Sequence, residues 1–273
     1  MSTFNEIFAR RRARLGSVLC VGLDPDPSRL PRGYSDDRDG WREFITDITR
    51  ATAHATVAYK PNLAFFEALD YGDALLKDVV RVIREEAGDA LIIADGKRGD
   101  IGNTARAYAR AIFERFDFDA ATVNPYMGME SLEPFYGYAN KATIALCLTS
   151  NPGAAEYQLR GEPPLYEQVA RDASRLNEKT GNIWLVAGAT RAAEQLKRLR
   201  ELAPGVPFLV PGIGAQGGDP RQVLEAAGPD VLLNVTRSVM YASETRDDTP
   251  ARIKAAAEAV VAQTADLLSS QGR

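Results

Sequence analysis

The sequence predicts an α/β protein, a (β/α)8 TIM barrel filling a single domain over residues 1–273. Three observations carry this. Eight short apolar runs recur along the chain. Amphipathic segments of helical period separate them, so successive strands run parallel. The length of 273 residues suits a closed barrel, which routinely takes about 250. A doubly wound open sheet is the competing architecture, but no G-x-G-x-x-G follows the first strand.

Taken in order, the predicted strands are VLCVGL (18–23), TVAYK (56–60), ALIIAD (90–95), AATVN (120–124), ATIALCLTS (142–150), NIWLVAG (182–188), PFLVPG (207–212) and DVLLNV (230–235). Each is short and rich in Val, Ile, Leu or Ala, as in strands covered on both faces. Between the first two, residues 41–55 place Trp41, Phe44, Ile45 and Ile48 at helical spacing. Residues 73–87 repeat the pattern and stop at Gly88, a C-cap signal. Segments 102–115, 165–179, 190–202 and 219–227 read the same way. Residues 151–166 form the longest irregular stretch and are a candidate lid.

Composition prunes the chemistry. The 33 basic and 37 acidic side chains give a net charge of −4, which does not suggest a nucleic-acid binder. No apolar run reaches the roughly 18–20 residues of a membrane span. The opening MSTFNEIFARRRARLG has no apolar signal core, so a cytoplasmic protein is expected. Cys20 and Cys147 lie in apolar runs and read as buried, reduced strand residues. The one histidine, His54, makes His-based triads and His-rich metal sites hard to build. It reads as a structural or surface residue. Chemistry is left to Lys, Asp, Glu, Arg, Tyr, Ser or the backbone.

A barrel holds its active site at the C-terminal ends of its strands. The polar residues there are Asp24 after the first strand, Lys60 at the end of the second, and Asp95-Gly-Lys-Arg-Gly-Asp100 after the third. Asn124 ends the fourth, and Thr149, Ser150 and Asn151 end the fifth. Strand alternation puts Asp95 and Lys97 on one side if the strand continues. Alone, Lys97 could be a solvated loop lysine, and Asp100 an acid placed well at a helix N-terminus. Beside Lys60 they form alternating charges that hold one another ionised, and a lysine so held is a proton donor and electrostatic clamp. After the seventh strand, Pro211-Gly-Ile-Gly-Ala-Gln-Gly-Gly218 has more glycines than a plain turn needs. Gly212 and Gly214 let the backbone approach an anion. Arg237 follows the eighth strand, and barrels recurrently bind phosphate at these two strand ends.

Together these segments closely resemble orotidine 5′-phosphate decarboxylase, in the longer bacterial branch of that family. The resemblance runs through VGLDPDPSRLP, YKPNLAFFEALD, DGKRGDIGNTARAYA, TVNPYMGMESLEPF, LTSNPGAAEYQ, LVPGIGAQGGD and NVTRSVMYA. It implies conversion of orotidine 5′-phosphate to UMP and CO2, the last step of de novo UMP synthesis, without metal or organic cofactor. It also implies a homodimer with shared active sites. Its charged network would be Lys60–Asp95–Lys97–Asp100, with Asp100 supplied by the partner subunit. Lys97 would protonate C6 of the pyrimidine, and Asp95 would lie beside the departing carboxylate. Asp24 and Lys60 would hold ribose hydroxyls, joined by Thr104 of the partner subunit. Ser150 would bind the pyrimidine edge; Gln216 and Arg237 would hold the phosphate. The family often has alanine at Gly96 and serine or alanine near Thr236.

Two other readings stay open. Mg-dependent sugar-phosphate aldolases and epimerases of the same superfamily also use a D-x-K-x-x-D strand and a phosphate loop. By the same resemblance they carry an acid where Lys60 stands. A non-catalytic nucleotide-binding relative would keep the phosphate grip, but should have lost one of Lys60, Asp95, Lys97 or Asp100.

Overall fold

A computed structural model describes residues 2–214 and 217–270. Its frame is eight parallel strands: β1 (Leu19–Leu23), β2 (Thr56–Pro61), β3 (Leu91–Arg98), β4 (Ala120–Val123), β5 (Ala142–Leu148), β6 (Ile183–Ala187), β7 (Phe208–Pro211) and β8 (Val231–Val235). They pair in sequence order and close, β8 against β1, into a barrel. All eight predicted strands are present, because runs this apolar can be covered only with helices outside and packed side chains inside.

The helices are α1 (Phe4–Leu15), α2 (Arg38–Thr52), α3 (Leu63–Glu67), α4 (Gly72–Ala87), α5 (Gly102–Arg110), α6 (Glu133–Tyr136), α7 (Leu165–Thr180), α8 (Ala193–Leu202), α9 (Pro220–Ala227), α10 (Arg237–Met240), α11 (Thr249–Ala262) and α12 (Ala265–Ser270). α2 begins three residues before the apolar periodicity does, because the Asp37 side chain accepts from Gly40 N–H and caps it. Residues 111–115 close the predicted 102–115 segment as a wider π-helical turn. α8 starts three residues later than predicted, because residues 188–191 form a turn whose donors point at the neighbouring loop. The candidate lid contains one short 3-10 turn, Pro152–Glu156.

α1 was not among the predicted helices. Its apolar content is small, but Thr3 and Glu6 form a capping box and Gly16 ends it at φ +56°. It closes the N-terminal end of the barrel. Phe4 and Phe8 meet Trp184 edge-on, with ring centroids 5.2 and 4.9 Å away. The buried Arg11 donates to the carbonyls of Thr56 and Ala87 and pairs with Asp89.

Above this floor the interior is an apolar stack that includes Cys20, Ala58, Ile93, Ile144, Trp184 and Leu232. Packing fills the tube to mid-height, so only the upper end is left for polar side chains. Both cysteines are free and buried, and burial pushes the Cys20 thiol up to about 12. His54 lies at the surface, its Nε2 3.1 Å from Glu258 Oε1. Among the described residues no helix is long and apolar enough to cross a membrane.

Candidate active site

Where the apolar stack ends, a cavity of about 300 Å3 opens at the C-terminal mouth. Asp24, Lys60, Asp95, Gly212, Asn234 and Arg237 are on its wall. Asp95 is its electrostatic centre. Lys60 Nζ donates to Asp95 Oδ2 at 2.6 Å, and Lys97 Nζ donates to Oδ1 at 2.7 Å. Thr122 Oγ1 also donates to Oδ1, at 3.0 Å.

Burial alone would drive Asp95 toward its neutral form. Lys60 and Lys97 overcome that and hold the carboxyl well below the usual carboxylate range. Burial likewise opposes the charge on Lys60, whose side chain is 5% exposed, but Asp95 and Asp24 outweigh it and hold the ammonium above its ordinary value. Asp24 goes the other way: burial raises it, with Lys60 pulling it back. Its Oδ1 is buried with no hydrogen-bond partner among the described residues.

The spacing of Asp95 and Lys97 does not act by plain strand alternation. The β3–β4 register shifts between Ala94 and Arg98, and Lys97 takes φ +46°, in the left-handed region that disfavours a side chain. Such a residue costs about 1–3 kcal/mol and persists only where its surroundings enforce it. Thr122 contributes to that enforcement: its hydroxyl oxygen accepts Lys97 N–H at 3.0 Å while donating to Asp95. One side chain thus fixes both the lysine backbone and the carboxylate. At Gly96 an added Cβ would sit 2.8 Å from Leu63 Cδ1, so Leu63 fills the space that an alanine there would need.

The remaining candidates are placed as follows. Ser150 is half-buried just beyond β5. Gly212 and Gly214 have φ +100° and +73°, which lets the chain fold back so that Gly218 N–H donates to Gly212 O at 3.0 Å. A Cβ on Gly214 would lie 2.9 Å from Ser238 Oγ, so this loop rests on the segment carrying Arg237. Arg237 is exposed at the start of α10 and forms no ion pair among the described residues. Gln216 lies outside the described residues.

Two candidates form no hydrogen bond or ion pair with the cluster among the described residues. The Asp100 carboxylate accepts Ile101 N–H at 2.8 Å and forms no bond to Lys97. Thr104 is exposed on α5. Between them Ile101 is 55% exposed, and Tyr126, from the loop after β4, is 77% exposed.

Sequence reasoning missed Thr122, Asn234, Arg29 and Tyr241. Tyr241 donates its hydroxyl to Asp24 O at 2.6 Å and accepts Asp26 N–H, so it shapes the loop that carries Asp24. Arg29 stacks over the Tyr241 ring, 4.7 Å from its centroid, at the cavity edge. Inward alternation along β4 and β8 could have found Thr122 and Asn234; the other two depend on loop geometry.

Residues 17–251 match the family described as orotidine 5′-phosphate decarboxylase / HUMPS family. This chain belongs to that family. Orotidine 5′-phosphate decarboxylase of Leptothrix cholodnii is 41% identical over 260 residues, covering 89% of this chain and 90% of its own. That of Dechloromonas aromatica is 43% identical over 259 residues, covering 93% of each. Among solved structures, Leishmania donovani OMP decarboxylase superposes with a TM-score of 0.83 at 36% identity, covering 97% of this chain and 98% of its own. Leishmania donovani UMP synthase gives 0.85 at 37% identity; this chain is covered to 96% but spans only 56% of that protein. The two solved structures superpose over nearly all of this chain, including its closed barrel.

Proposed function

We propose that this chain decarboxylates orotidine 5′-phosphate to UMP and CO2, the last step of UMP synthesis, through the Lys60–Asp95–Lys97 cluster. The observation that carries the mechanism is the buried carboxylate flanked by two ammonium groups. In the reaction the bond from C6 to the carboxylate breaks and its electron pair stays on C6. No ring carbonyl is conjugated to accept that charge. A preorganised cation at the developing charge is then the available stabiliser. Lys97 supplies it and passes a proton from Nζ to C6; solvent returns the proton to the amine. Asp95 orients Lys97 and stands beside the departing carboxylate.

Asp24 and Lys60 hold ribose hydroxyls, Ser150 the pyrimidine edge, and Arg237, Gln216 and the Gly212–Gly214 turn the phosphate. The phosphate is remote from C6, so its binding energy can order residues 151–166 over the site. Asp100 and Thr104 serve the site of the partner subunit in a homodimer, a reading supported by the lack of any bond from Asp100 to Lys97 in its own chain and by the exposure of Thr104 and of Ile101 between them. Residues 1–273 act as one barrel domain, in the cytoplasm, where two free thiols stay reduced.

The magnesium-dependent reading fits less well. Two ammonium groups on one carboxylate repel a divalent cation, and Lys60 stands where a metal-binding acid would be needed. The reading is tested by following labelled CO2 from carboxylate-labelled orotidine 5′-phosphate. No release at saturating substrate would overturn it.

Two further results are expected. Arg237→Ala should lose a charge-assisted bond of about 1.5–3 kcal/mol, with kcat/KM falling to match. Orotidine without its phosphate should be turned over about equally poorly by both proteins. An equal loss on both substrates would remove Arg237 from phosphate binding. Asp24→Asn should lower kcat/KM about tenfold. Its effect on stability has the opposite sign. A carboxyl held above its unfolded value of about 4 weakens the fold as it ionises with rising pH. The variant should therefore melt no lower than the native chain at pH 7, with any advantage shrinking as pH falls toward ~4. A clearly lower melting temperature at pH 7 would show that attraction to Lys60 outweighs burial.

A further inference from the structure

The turn after β6 takes no part in the reading above, yet it is tied closely to the end of β5. Gly188 N–H donates to Leu148 O at 2.7 Å. A Cβ on Gly188 would lie 2.7 Å from Ser150 N and 2.8 Å from Ser150 Cα, so only glycine permits this approach. The Thr190 hydroxyl donates to Ser150 O at 3.1 Å. Arg191 donates from Nε to Thr149 O at 2.7 Å and from Nη2 to Asn151 O at 2.8 Å. Three residues of one turn thus occupy the carbonyls of 148, 149, 150 and 151. Arg191 forms no ion pair with a carboxylate among the described residues; these hydrogen bonds go to main-chain carbonyls. From the opposite side, Gln158 in the candidate lid accepts Thr149 N–H at 2.8 Å and donates to Thr149 Oγ1 at 2.9 Å.

A strand end at a barrel mouth would otherwise leave these carbonyls to water and the loop free to shift. A planar guanidinium bonded to two carbonyls fixes both position and direction, which a lysine cannot do. We propose that Arg191, backed by Thr190 and Gly188, is a positioning residue for pyrimidine recognition. It sets where Ser150 meets the base and touches no substrate itself. This rests on the reading of Ser150 as the residue at the pyrimidine edge.

The test separates the base from the rest of the ligand. UMP carries the base; ribose 5-phosphate lacks it but uses the same ribose and phosphate contacts. In Arg191→Ala, kcat/KM for orotidine 5′-phosphate and inhibition by UMP should each weaken about tenfold or more, while inhibition by ribose 5-phosphate stays within about twofold. Arg191→Lys should fall between. Ser150→Ala should show the same selectivity, and the double variant should be little worse than the worse single one, because both act through one contact. Equal weakening of both inhibitors by Arg191→Ala would mean a general packing role and overturn the proposal. A harmful Ser150→Ala with a silent Arg191→Ala would overturn it alone. A silent Ser150→Ala would overturn it together with the Ser150 reading. If Arg191→Ala does not fold, Thr190→Val is judged by the same criteria.

Discussion

Lys97→Ala should lower kcat for orotidine 5′-phosphate at least ~10²-fold, the lower end for loss of a positioned acid. On the proposed mechanism the variant also loses the main cation at C6, so the true loss should exceed that figure. The fold should survive. The Lys97 side chain is 51% exposed, and without it Asp95 keeps Lys60 and Thr122 as donors. Binding of UMP should change far less than kcat, since UMP bears no developing charge at C6. Paired measurements of kcat and UMP affinity on a variant of native melting temperature decide the matter. Near-normal turnover would remove Lys97 from the mechanism.

The second large effect concerns Asp100. If, as proposed, Asp100 completes the partner subunit's site, Lys97→Ala and Asp100→Ala should each be nearly inactive as pure dimers, because every site then carries one lesion. Subunit exchange should restore activity. A mixed dimer has one site with both lesions and one with none. Random mixing of equal amounts makes about half the dimers mixed, so about a quarter of native activity should return. Both parents must be folded and dimeric, with exchange confirmed by mass. Complete exchange with activity at the parental level would place Asp100 in its own chain's site.

The strands were legible because burial on both faces leaves them almost no polar residues, and their short length and alternation with amphipathic segments separate them from buried helix. α1 was not, because Phe4 and Phe8 gain their partner, Trp184, from a strand about 180 residues away; only its capping box was local. The cluster was readable as D-x-K after an apolar run, but the reason differs. Lys97 reaches Asp95 through a strained, left-handed backbone braced by Thr122, and a threonine in AATVN looks like any β-branched strand residue. Arg191 and Tyr241 act through main-chain groups of other loops, contacts that no residue spacing encodes. Asp100 bonds Ile101 N–H rather than Lys97 in one chain, and the role proposed for it and for Thr104 needs a second copy, which no pattern within one sequence displays.

The central claim is that this barrel decarboxylates orotidine 5′-phosphate with its own charges and no metal. The most direct measurement mixes purified protein with orotidine 5′-phosphate in excess EDTA and follows the ultraviolet change as UMP forms. Full-rate conversion, unchanged by the chelator, is the expected result. Loss of rate on chelation that magnesium restores, or tight UMP binding with no turnover, would contradict it.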